Sequence, residues 1–334
     1  INMKRNWLSY MCMAALLSGA LTSCNESSFL NLSDPNHFTE SNFWKDKADA
    51  ESALAAAYSP IKGAMYGYFS AFDGWLNLNG RGDDIFTIKG EEVPMWNIAN
   101  FLNSPSTGND PYGALYSGIQ RANIVLRYID QIPASGITEE DRSMIKGEAL
   151  FLRGYQYFLL VNNYKEVPLR LIPSNEDETN KGPASEAALW TQVEEDLGNA
   201  IKCNLPVERT TAKERVTKGA AIAMLGKVYA TQHKYPEAKQ LLVSLLSAPY
   251  SYELVDDFAK NFTNEEEFNK ESVYEIAYSP DGEYSWSNES GICLGCYIPQ
   301  FIGPVKSGGW AKLMPNSFIV GEFTKETRPN GADT

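Results

Sequence analysis

Between residues 75 and 100 the chain sets two tryptophans among planar hydrogen-bonding side chains: Trp75, Asn77, Asn79, Arg81, Asp83 and Asp84, then Trp96, Asn97 and Asn100. A sugar ring presents a flat C–H face ringed by hydroxyls. An aromatic platform flanked by Arg, Asn and Asp is the side-chain chemistry that grips it. Two further groups repeat the composition, Tyr284 with Trp286 and Asn288, and Tyr297 with Trp310. Each ring has a plainer reading as a packing residue, whereas Trp44, Tyr58, Tyr155, Tyr157 and Tyr229 fall at helical spacing and read as core.

Reactive chemistry is poorly represented. With two histidines, His37 and His233, no Ser-His-Asp arrangement can be argued, and no glycine-rich phosphate loop occurs. Asp83 and Asp84 could suggest the carboxylate pair of a glycoside hydrolase, but neighbours on a strand face opposite ways, and 42 acids leave many chance pairs. Glu265-Glu266-Glu267 reads as a solvated turn. Cys293-Leu294-Gly295-Cys296 stands alone without further Cys or His ligands at metal spacing, so it reads as a disulfide or a pair of small buried thiols. The expectation is a binding protein, not an enzyme, with no metal and no cofactor.

The amino-terminal residues supply an address. Lys4 and Arg5 precede an apolar run from Met11 to Leu21, and Leu21-Thr22-Ser23-Cys24 closes it as a lipoprotein signal does. A run of about a dozen residues is too short to span a bilayer as a helix. Residues 1–23 therefore read as a signal peptide, Cys24 as the lipidated residue, and 24–38 as a polar tether. The formal net charge of −13 argues against nucleic acid as a partner.

The elements that must carry the aromatic groups are mostly helical. Phe43, Trp44, Ala48, Ala50, Leu54, Ala57 and Tyr58 recur at three and four, predicting a helix from Ser41 to Tyr58 stopped before Pro60. Residues 63–113 hold eight glycines and aperiodic aromatics, and read as loops with one short strand at Ile85–Ile88. Period returns at Leu115 to Ile129. Thr138 with Asp141 resembles a capping box opening a helix from Glu139 to Tyr164, and Ser185 or Glu186 opens another reaching Ala200. Lys218–Gln232 and Pro236–Leu246 make a helical hairpin in which Leu225-Gly226-x-x-Tyr229 and Ala238 match the core of a tetratricopeptide repeat, with Gly226 and Ala238 small for close approach. Arg153-Gly154-x-x-Tyr157 is a weaker echo. Such repeats bury their faces on neighbours, so several helical pairs are implied. Glu271–Tyr278 alternates as a strand would.

Taken in order, these segments resemble the SusD/RagB family of outer-membrane nutrient-binding lipoproteins. The resemblance rests on the Cys24 lipobox with Phe29-Leu30, Asn42-Phe43-Trp44, Ala48-Asp49-Ala50, Tyr116-x-x-Ile119-x-Arg121-Ala122-Asn123, Glu148-Ala149-x-Phe151-Leu152-Arg153-x-Tyr155-x-Tyr157-Phe158, Val167-Pro168-Leu169, Thr217-Lys218-Gly219-Ala220-Ala221 and Lys270-Glu271-Ser272-Val273. It implies a mainly α fold of tetratricopeptide-like hairpins forming a superhelical core, with long, loop-rich, aromatic-containing insertions. A domain over 39–334 would then have helical repeats at 39–62, 112–170 and 185–250, and loop-rich ligand regions at 63–111 and 251–334. It implies capture of an oligosaccharide or polysaccharide, or of peptide in some branches. Delivery would be to a SusC-like TonB-dependent β-barrel transporter, from a lipid anchor in the outer membrane facing the cell exterior.

In that family, platform aromatics commonly precede the Tyr116 helix or lie past mid-chain, which puts Trp96 and Trp286 first. Arg81, Asn97, Asn100, Trp75, Asp83, Tyr284 and Trp310 follow. Phe318–Arg328 resembles a mid-chain segment of the family, implying a carboxy-terminal portion beyond residue 334 that supplies further ligand loops.

Overall fold

The protein is seen here in a computed structural model that describes residues 43–62, 79–87, 93–102, 111–279 and 295–325. The signal segment, Cys24 and the tether lie outside them. The residues from Asp46 onward make one compact unit, and its body is helical. Among the described residues, no helix is long and apolar enough to cross a membrane.

The first helix, α1 (Lys47–Lys62), starts where the Asp46 carboxylate accepts from the backbone N–H groups of Ala48 and Asp49. It does not stop before Pro60, as the sequence suggests, but carries that proline, buried, in its last turn. The missing Pro60 N–H would have bonded the Ala56 carbonyl, and Arg121 donates to that oxygen instead at 2.9 Å. A cation from a neighbouring helix thus replaces the lost ladder bond.

Three long helices make the body, two of them opened by the chain's capping signals. After α2 (Val93–Ala99), described below, come α3 (Tyr112–Tyr128), α4 (Glu139–Tyr164) and α5 (Glu186–Lys202). Thr138 caps α4 by accepting from the Asp141 N–H, and Ser185 caps α5 through Ala188. Helix α4, 26 residues or about 39 Å long, is the mast of the body. It packs on α1, α3 and α5, burying Ile145, Phe151, Leu152, Tyr157 and Leu160. At roughly 1.5–3 kcal/mol for each large apolar side chain removed from water, this face dominates the body's stability.

The hairpin α6 (Lys218–Thr231) and α7 (Tyr235–Ser244) completes the tetratricopeptide-like arrangement, with Thr217 capping α6. A Cβ on Gly226 would stand 2.7 Å from a methyl of Leu242, so the missing side chain is what lets the two helices close. Tyr229 is not core. It is half-exposed, with the Lys234 ammonium over its ring at 5.6 Å.

The charged groups buried in the body are paired. Glu148, fully buried on α4, accepts from Tyr58 at 2.6 Å, Arg209 at 2.7 Å and Arg215 at 2.8 Å. Arg153 grips Asp196 of α5 through two nitrogens at 2.8 and 2.7 Å and donates to the Asn123 amide oxygen at 2.9 Å. Asn123 in turn donates to the carbonyls of Arg170 and Ile172, and Tyr157 to that of Arg170. The loop after α4 is thereby stitched down along its length.

Beyond α7 the segment Glu271–Tyr278 pairs in no sheet among the described residues. Its alternating rings instead serve the helices: Tyr274 packs edge-on to Phe151 at 5.4 Å, and the Tyr278 hydroxyl donates to the Lys62 carbonyl at 2.8 Å. Alternation of this kind registers two faces, and helices can provide both as well as a sheet can. The loop-rich regions are also less irregular than expected, since α2, α8 (Ile298–Ile302) and α9 (Ser317–Thr324) lie within them.

Candidate functional site

The two regions proposed from sequence to carry ligand groups are tied together by the one sheet among the described residues. Strand β1 (Ile85–Phe86) runs antiparallel to β2 (Met314–Pro315), pairing Ile85 with Pro315 and Phe86 with Met314. The expected strand at Ile85–Ile88 is therefore real but shorter in its described part.

Asn316 reinforces the junction. Its backbone N–H donates to the Asp84 carbonyl at 2.9 Å, its side-chain amide donates to the Asp83 carbonyl, and its amide oxygen caps α9 through Ile319. Under the ladder sits a small core of its own, Phe301 and Leu313, with Ile85, Tyr297, Ile298 and Trp310 packed on it.

This arrangement brings the Arg81–Asp83 group and the Tyr297–Trp310 group to one place. Arg81, Asp83 and Asp84 stand exposed on the turn leading into β1. The two carboxylates are on an exposed turn and not on a strand. Trp310 is half-buried, edge-on to Phe301 with centroids 5.7 Å apart. Its backbone N–H donates to the Gln300 carbonyl, and those of Ala311 and Lys312 donate to Gly303 and Phe301. Trp310 thus braces the small core, and one face at most is left for a ligand.

Trp96, Asn97 and Asn100 belong to a different element, α2. The expectation of loop residues is corrected here, because Trp96 and Asn97 are on a short helix and half-buried. Asn100 lies just past the helix and spends its side-chain amide on the Trp96 carbonyl at 2.7 Å, ending α2. Directly after it, Phe101 adopts φ of 56° and is 74% exposed. An aromatic held in the left-handed region and presented to solvent is a binding-group signal. Sequence reasoning passed over Phe101; its position immediately behind Trp96, Asn97 and Asn100 was the available cue.

Trp75, Asn77, Tyr284, Trp286 and Asn288 lie outside the described residues, as does Cys293. Cys296 is a free thiol whose pKa burial pushes up, which disfavours the thiolate that nucleophilic or metal chemistry would need. Burial likewise raises the hydroxyl of Tyr278 beside it. No group of three or more His, Cys, Asp and Glu side chains among the described residues is placed to hold a metal ion.

The fold has counterparts in known proteins. Residues 82–230 match a SusD-like family described as starch-binding and associating with the outer membrane. A SusD-like protein of Formosa agariphila is 26% identical over 234 residues, which cover 69% of this chain and 43% of that protein. Among solved structures, a SusD superfamily protein of Bacteroides vulgatus has a TM-score of 0.74 at 28% identity, over 87% of this chain and 60% of its own. A laminarin-binding SusD-like protein gives 0.66 at 29% identity, over 73% of this chain and 54% of its own. The chain therefore spans about half the length of the relatives it matches.

Proposed function

We propose, from the match of residues 82–230 to the SusD-like family and the likeness to SusD-like relatives, that this chain is a member of that family, a cell-surface lipoprotein that binds oligosaccharide or polysaccharide without cleaving it. The observation that carries the reading is the ladder β1–β2. It carries Arg81 and Asp83 toward the aromatic Tyr297–Trp310 cluster, while α2 carries Trp96 and Asn97 and the turn just past it presents the exposed Phe101. Aromatic faces with planar amide and guanidinium groups suit a hydroxylated ring. The laminarin-binding relative and the starch-binding family description support the same ligand class. Trp75, Tyr284 and Trp286 complete the proposed ligand set.

The partner in this reading is a SusC-like TonB-dependent β-barrel transporter of the outer membrane, to which the bound glycan is delivered. Lipidation of Cys24 would hold the protein within reach of it, with the tether 24–38 allowing movement. Weak capture suits delivery. A platform burying on the order of 100 Å² contributes about 2.5 kcal/mol, and binding at about 1 mM needs roughly 4.1 kcal/mol after the cost of association.

The test is native affinity electrophoresis of the full chain in mild detergent against laminarin, starch and other polysaccharides, with product analysis of the same mixtures. Retardation without new oligosaccharides is expected. Released products would overturn binding without turnover, and calorimetric binding of peptides alone would move the ligand class. Co-purification of a β-barrel transporter from native membranes, lost on Cys24→Ala, tests the partner and the anchor together.

A further inference from the structure

The connection from α5 to α6, the stretch behind α7 and the segment 268–275 enclose a cavity of about 330 Å³ that none of the ligand groups named above lines. That volume is at the lower end of the small-molecule range. Two tyrosines two positions apart, Tyr250 and Tyr252, line it with ring planes 12° from parallel and centroids 6.2 Å apart. Tyr252 is seated on α6, where a Cβ added to Gly219 would stand 2.2 Å from its hydroxyl oxygen. The glycine gives the ring its bed, and the ring is thereby a fixed wall.

The charges around the cavity are largely spent on the protein itself. Arg209 is bound to Glu148, Lys270 pairs with Glu253 at 3.4 Å, and the Glu275 carboxylate accepts the Phe268 N–H at 2.9 Å. What remains to meet a ligand is the two tyrosine rings, the Tyr250 hydroxyl, Ser251 and Ser272, and two exposed side chains of opposite sign, Glu208 and Lys213. A strongly anionic or cationic ligand finds little net charge there. A neutral ring with an apolar face and hydroxyls at its edge finds a complement for each. Burial also raises the Tyr250 pKa, which keeps its hydroxyl a hydrogen-bond donor across the physiological range.

We propose that this cavity is a second carbohydrate subsite, taking one or two neutral sugar residues against Tyr250 and Tyr252 with Glu208 and Lys213 at its mouth. The subsite rests on the glycan-binding reading given above and adds to it a place remote in sequence from Trp96. A polymer that engages both places gains avidity that a short oligosaccharide does not.

The experiment is calorimetric titration of the full chain in mild detergent with laminarihexaose and maltohexaose, paired with affinity electrophoresis on laminarin and starch. Tyr250→Ala is expected to weaken retention by the polysaccharide about five- to tenfold, the size of one lost ring contact, with a smaller effect on the hexasaccharide. Lys213→Ala, an exposed truncation that spares the fold, is expected to act in the same direction, so misfolding of Tyr250→Ala would not leave the idea unexamined. Wild-type binding shared unchanged by both variants overturns the subsite and spares the glycan reading. Failure of the wild type with every glycan overturns both.

Discussion

Tyr58 on α1 and Glu148 on α4, ninety positions apart, meet in a 2.6 Å hydrogen bond at the centre of the helical body. The same hydroxyl accepts the Val216 N–H at 3.0 Å, so one phenol fastens three segments. Its pKa lies well above the usual tyrosine value because of burial first and the Glu148 charge second. The hydroxyl therefore donates to the carboxylate and does not compete with it.

Removing that carboxylate should be severe. Glu148→Ala leaves Arg209 and Arg215 facing each other without their shared anion, and a loss of about 3–5 kcal/mol in urea denaturation is expected. Tyr58→Phe strands the Val216 N–H and one carboxylate lone pair, for about 1–3 kcal/mol. A change below about 0.5 kcal/mol for Glu148→Ala would mean that the three-way tie is absent in solution.

Acid should act on a different pair. The Asp141 carboxyl is held below its ordinary value chiefly by the hydrogen bond from Lys47, with Thr138 adding a second. A lowered folded value contributes stability that is present above about pH 4 and lost as pH falls through the folded pKa. Asp141→Asn should therefore cost about 0.5–1 kcal/mol at neutral pH, kept small by the solvent around Lys47. The gap from wild type should close below about pH 4 in thermal melts taken across the acid range.

Gly309 offers a test of the small core beneath the ladder. A Cβ there would stand 2.1 Å from the Gly303 carbonyl oxygen, a backbone atom that cannot swing aside. Gly309→Ala should open residues 298–313, seen as faster amide exchange there while α3 to α6 stay protected. By contrast Gly226→Ala meets a side chain, Cγ and Cδ2 of Leu242, and should cost about 1–3 kcal/mol.

Two of the candidate-site tryptophans, Trp96 and Trp310, should separate binding from packing. Trp96→Ala is expected to weaken glycan binding roughly tenfold or more with little change in melting temperature. Trp310→Ala should lower the melting temperature or raise local exchange, because its ring braces Phe301. A large stability loss at Trp96 with unchanged binding would assign that ring to the core.

The helices were legible because their signals are local. Thr138 and Ser185 each cap the helix expected of them, and the Gly226 spacing marks a real close approach. Pro60 misled because its missing N–H is compensated by Arg121, which reaches the Ala56 carbonyl from 65 positions further along, where no window contains it. Glu271–Tyr278 misled because alternation reports two environments and not what supplies them. Of the candidate site, residue types were readable but their supports were not: Asn100 ends a helix, Trp310 braces a core, and both facts depend on partners outside the motif. Tyr250 and Tyr252 were invisible because their significance comes from Gly219 beneath them.

The junction of Asp83 with Asn316 closes a loop of 233 residues. For a flexible chain such a closure costs about 5 kcal/mol of entropy, far more than two short strands can return. The ladder can form only after the helices between its halves have folded and drawn its ends together. Assembly therefore runs in a fixed order, body first and rim last, and partial unfolding should retrace it. The groups proposed for ligand capture near β1 would then be the last to settle and the first to open, earlier than any part of the helical body.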